Sequence, residues 1–162
     1  MWKVEPMRIN VLGLGNVMFS DEGFGVEAVR LMAETETFPD NVQIIDGGTQ
    51  GIYLTNFVED TDCLLVFDAL IPLDYKQDVY VYHNDELPAF IHRKMSSHQI
   101  GLSELLSLAK LNGKLPGEIA LVGIPPVNLE MHVGLSDQAQ ALLPKAVAVA
   151  TDIIQNWLKS GA

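Results

Sequence analysis

The sequence predicts an α/β fold: a three-layer α/β/α sandwich around a mostly parallel five-stranded sheet with one antiparallel strand. Three observations carry that expectation. Apolar runs of strand length alternate with helical periodicities. Three of the runs are almost continuously apolar, as strands covered on both faces are. One interval between successive strands is too short for a crossover helix and marks the antiparallel or edge member.

The first strand is Arg8–Leu14, and it enters the loop Gly13-Leu-Gly-Asn16. A helix follows over Gly23–Glu34, with Phe24, Ala28, Leu31 and Met32 as its apolar pattern and Ser20 or Asp21 as N-cap. The second strand is Val42–Asp46 and the second helix Ile52–Glu59. The third strand is Cys63–Ala69 and the fourth Asp78–Tyr82, which the short interval sets antiparallel to the third or at an edge. A third helix, Leu102–Leu111, carries Leu102, Leu105, Leu106 and Ala109 on one face. The fifth strand is Glu118–Ile124. In the last helix Ala139, Leu142, Leu143, Ala146, Ala150, Ile153, Ile154, Trp157 and Leu158 keep a three-or-four spacing.

A chain of 162 residues reads as a six-residue N-terminal extension (1–6) followed by one domain (7–162). No stretch has the apolar length of a membrane span, and the polar opening Met1-Trp-Lys-Val-Glu-Pro6 is no secretory signal. The net charge of −11 disfavours nucleic acid and suits a cation or a basic peptide as partner. The one cysteine, Cys63, lies in an apolar run, so no internal disulfide is expected and a cytoplasmic location fits.

Chemistry belongs at the carboxyl ends of the strands, where strand order reverses. The first strand is followed by Asp21 and Glu22, the second ends in Asp46-Gly-Gly-Thr49 and the third in Asp68. Parallel pairing puts all three ends on one rim, and strands one and three flanking the reversal would turn Glu22 and Asp68 into one crevice. Crowded carboxylates need a proton, a cation or a basic partner between them. His98, in the polar loop Met95-Ser-Ser-His-Gln99, completes a candidate open metal site with Glu22 and Asp68. Mixed oxygen and nitrogen ligation suits nickel or zinc better than calcium. Each residue also has a plainer reading: Glu22 as a helix-start acid, Asp46 and Asp68 as turn acids, His98 as a loop histidine. His83, His92 and His132 read as surface or packing residues. The loop lacks the third glycine of the dinucleotide fingerprint, with Met18 in its place, and acids at a helix start repel phosphate.

Five motifs, in order, resemble the hydrogenase maturation endopeptidases. They are Gly13-Leu-Gly-Asn16 with Asp21-Glu-Gly-Phe-Gly25, Asp46-Gly-Gly-Thr-Gln-Gly51, Phe67-Asp-Ala69, Ser96-Ser-His-Gln99 and Leu121-Val-Gly-Ile-Pro125. The resemblance runs from about Met7 to Trp157. It implies an aspartyl-type endopeptidase that trims the C-terminal extension from the large-subunit precursor of a [NiFe] hydrogenase. Nickel is then carried in by the substrate and read by Glu22, Asp68 and His98; zinc or cadmium can take the same position in vitro. It also implies that Asp46, with Gly47 and Gly48, serves cleavage or substrate positioning. Two routes to cleavage stay open: a metal-polarised water, or a water activated by a carboxylate such as Asp46. The alternatives are a nickel-dependent maturation chaperone that does not cut, and a nucleotide-binding protein using the glycine loop.

Overall fold

The computed structural model describes residues 5–87 and 101–161. A five-stranded sheet runs in the order β2-β1-β3-β5-β4, with β1 at Ile9–Leu14, β2 at Val42–Gly48, β3 at Cys63–Ala69, β4 at Tyr80–His83 and β5 at Glu118–Ile124. The pairs of β1 with β2, β1 with β3 and β3 with β5 are parallel. The strand β4 is antiparallel and at an edge, but its partner is β5 rather than β3. The inserted β5 explains the difference: it docks beside β3 after a crossover through a helix, and β4 then pairs with its outer side.

Four α-helices among the described residues cover the sheet: α1 (Phe24–Thr35), α2 (Thr55–Glu59), α3 (Leu102–Leu111) and α4 (Asp137–Ser160). Alternation along the strands decides which helix meets which face. Ile9, Val11, Leu65, Phe67, Val122 and Ile124 pack against α1 and α4. Leu12, Leu14, Leu64, Val66 and Leu121 pack against α2 and α3. The result is three layers, as the apolar strand runs predict. The periodic positions of α3, Leu102, Leu105, Leu106 and Ala109, are all buried. In α4, Ala139, Leu143, Ala146, Ala150, Ile154 and Trp157 are buried, while Pro144 sits on the exposed side. The second helix is shorter than its pattern suggests, because Gly51–Leu54 winds as a tighter 3-10 turn before α2. Among the described residues no helix is long and apolar enough to cross a membrane.

Candidate functional site

Strand order reverses between β1 and β3, because β2 lies on one side of β1 and the remaining strands on the other. The expected switch point is therefore present. Helix α1 starts in the notch at that point. The fit depends on Gly25: a Cβ there would lie 2.2 Å from the carbonyl oxygen of Leu14 and 2.3 Å from that of Phe67, so a side chain would push the helix off both strand ends. Gly15, at φ +137°, plays the matching part on the loop, since a Cβ on it would meet the Glu22 carbonyl oxygen at 1.9 Å. With these approaches closed, the 3-10 turn Ser20–Gly23 delivers Glu22 beside the end of β3, where Asp68 sits.

The two carboxyls feel each other. Burial pushes the Asp68 carboxyl well above the usual carboxylate range; the Ala69 N–H draws it back, and the charge of Glu22 drives it up again. Burial also raises Glu22. Among the described residues neither acid forms an ion pair. The crevice thus holds two acids that bind a proton more readily than exposed carboxylates do, a setting that favours an arriving cation. The described residues by themselves contain no group of three or more His, Cys, Asp or Glu placed to hold a metal. His98 lies outside the described residues, as does His92. His83 and His132 are both exposed.

Asp46 is not in this crevice. Gly13 pairs with both Asp46 and Phe67, so β1 separates Asp46 from the β3 end, a span of two strand spacings, about 10 Å. Asp46 follows the phase of Val42 and Ile44, which pack on the α1 face, whereas Asp68 follows Leu64 and Val66 on the other. Its Oδ2 accepts from Arg30 Nη2 on α1 at 3.3 Å, and Arg30 also donates to Glu27. Just beyond Asp46 the pairing slips, Leu14 lying opposite Gly48, so β2 bulges at Gly47.

Ser20 and Asp21 do not cap α1; that position is Gly23, with no side-chain bond. They bind the segment after β5 instead. Asp21 is fully buried. Its Oδ2 accepts from the Val127 N–H at 2.8 Å, the Asn128 N–H at 3.1 Å and the Ser136 hydroxyl at 2.8 Å, and its Oδ1 from the Ser136 N–H at 2.7 Å. Burial alone would raise this carboxyl, but the bonds from Ser136, Val127 and Asn128 together hold it below its ordinary value. Ser136 in turn caps α4 by accepting from the Ala139 N–H. Ser20, at φ 50°, donates its hydroxyl to the Glu130 carbonyl at 2.7 Å. Nothing local in the sequence signals this network, whose members are more than 100 positions apart.

A family profile described as "Hydrogenase maturation protease" matches residues 26–153. The hydrogenase expression/formation protein HupM of Azotobacter chroococcum mcd 1 is 46% identical over 148 residues, covering 88% of this chain and 69% of HupM. The hydrogenase 2 maturation protease of Escherichia coli K12 is 36% identical over 142 residues, 87% of each chain. The solved structure of the hydrogenase maturating endopeptidase HybD from E. coli superposes with a TM-score of 0.85 at 34% identity, covering 93% of each chain.

Proposed function

This chain belongs to the hydrogenase maturation protease family, and from that premise we propose how it recognises and cuts its substrate. It removes the C-terminal extension of a [NiFe] hydrogenase large-subunit precursor once nickel is in place. Glu22, Asp68 and His98 bind the nickel that the precursor carries. The observation that supports this most is the meeting of Glu22 and Asp68 at the switch point, two acids with raised proton affinity and no ion pair among the described residues.

The nickel serves here as part of the substrate. A precursor without it forfeits the coordination energy and brings nothing to offset the repulsion between the two acids, so the selection is by differential binding. Coordination fixes the precursor's orientation and lays the scissile peptide along the rim. Asp46, beyond β1 and tethered to Arg30, would touch that peptide away from the ion, either positioning it or activating a water. Membership in a protease family favours cutting over a non-cleaving chaperone.

The test compares nickel-loaded and nickel-free precursor as substrates of the purified protein, with chain length read by mass spectrometry. Shortening of the loaded form alone is the expected result. Equal shortening of both forms removes nickel recognition, and a stable uncut complex removes the protease reading.

A further inference from the structure

All but two of the large apolar side chains left exposed among the described residues lie on loops or turns that follow the carboxyl ends of parallel strands. The exceptions are at the opposite end, Leu111 closing α3 and Leu115 between α3 and β5. Met18 follows β1, Tyr53 follows β2, Tyr75 follows β3, and Val127, Met131 and Val133 follow β5. Their exposure is high, 81% for Tyr53 and 73% for Met131, and nothing in a solvated rim requires it. Apolar side chains concentrated at one end of a molecule mark an interaction surface, and methionine and tyrosine are enriched in such surfaces.

We infer that these loops form an apolar collar around the Glu22–Asp68 crevice, on which the surface of the metal-bearing precursor docks. The inference rests on the proposed function and names the surface that function uses. Three observations choose the occupant. The collar encloses two acids with no ion pair among the described residues, so whatever covers it brings positive charge to the centre. A second copy of this chain, of net charge −11, would set its own acids against these. Anionic lipid headgroups meet the same repulsion.

The largest arc of the collar is also preformed. The Val127 and Asn128 N–H groups are fixed on Asp21, the Ser20 N–H donates to the His132 carbonyl, and the His132 N–H donates to that of Met18. The apolar arc and the Glu22 turn are thus parts of one hydrogen-bonded unit, and binding need not order the arc first.

The experiment measures processing of nickel-loaded precursor across a range of precursor concentrations, and precursor binding by calorimetry. The variants are Met131→Asp and Tyr53→Asp, with Met131→Leu as the conservative change and Leu111→Asp as the remote control. Each collar aspartate is expected to raise KM about ten-fold or more, as interface anchors do, with kcat little changed and binding weakened in parallel. Leu111→Asp should behave as the parent, and Met131→Leu should raise KM far less than Met131→Asp does. Collar variants that bind and process normally overturn the inference. So does a parent protein that sediments as a dimer which Met131→Asp dissociates, because the collar then covers a second copy. If the precursor binds, is weakened by Met131→Asp, but is never shortened, the collar stands and the protease reading falls. If cutting is lost in Glu22→Ala yet unaffected by collar variants, the reverse holds.

Discussion

Asp21 and Glu22 are neighbours in the chain and opposites in condition. Asp21 is sealed from solvent, accepts four hydrogen bonds and is held ionised. Glu22 faces Asp68 across the crevice, and both are pushed toward the protonated form. The first is an acid whose needs the fold meets. The second belongs to a pair whose needs the described fold leaves unmet. A carboxylate that stabilises its own structure is an anchor; one that the structure burdens marks a candidate binding site.

The sharpest way to break this contrast is to neutralise each member. Glu22→Gln and Asp68→Asn should each cut processing of nickel-loaded precursor by about a thousand-fold, the loss of several kcal/mol of metal-linked stabilisation. Single-turnover cleavage checks it, and near-normal rates would make the pair structural. Asp21→Asn should act on the fold, costing about 3 kcal/mol because it turns an amide group toward backbone donors. Denaturant unfolding reads that loss.

Stability against pH sharpens the comparison further, because the two sites carry opposite signs. Asp21 lies below its unfolded value, so it adds stability above about pH 4 and loses it as pH falls through its folded value. Glu22 and Asp68 lie above theirs, so their contribution is complete below about pH 4 and is lost as pH rises through the folded values. Asp68→Asn should therefore raise the Tm at neutral pH, by the equivalent of about 1 kcal/mol, and leave it unchanged near pH 4. Paired melts at the two pH values decide. The smallest effect belongs to Arg30→Ala. Its pair with Asp46 is half-exposed on both sides, so stability should shift by no more than about 0.5 kcal/mol. A much larger fall in processing rate would show that Arg30 positions Asp46 for the reaction.

What the sequence made legible follows from what is local. The strands Cys63–Ala69 and Glu118–Ile124 have the ends their apolar runs predict, because strands buried on both faces carry no solvent-side residues to blur the pattern. The rim acids Asp46 and Asp68 are legible because each lies near the carboxyl end of a strand whose direction parallel pairing fixes. The partner of β4 could not be read, since pairing depends on which strand is already at the edge. Asp21 resembled a helix cap because caps are chosen from the same residue types; its true partners, Val127 and Ser136, are adjacent only in space. The apolar collar was invisible for a related reason. Exposed Met131 and buried Met32 are indistinguishable as letters, and the loops of the collar come together only once the sheet is assembled.

The Asp21–Ser136 bond joins residues 115 positions apart. During synthesis, the turn bearing Glu22 emerges early, yet its partners, from Val127 to Ser136, leave the ribosome only near the end. A nascent chain stopped before that point can pair β1 with β3, but the turn bearing Glu22 lacks the bonds of Asp21 and Ser20 that fix it. On the proposed function, the grip on a precursor would therefore be completed late in synthesis, because it waits on contacts of high sequence separation.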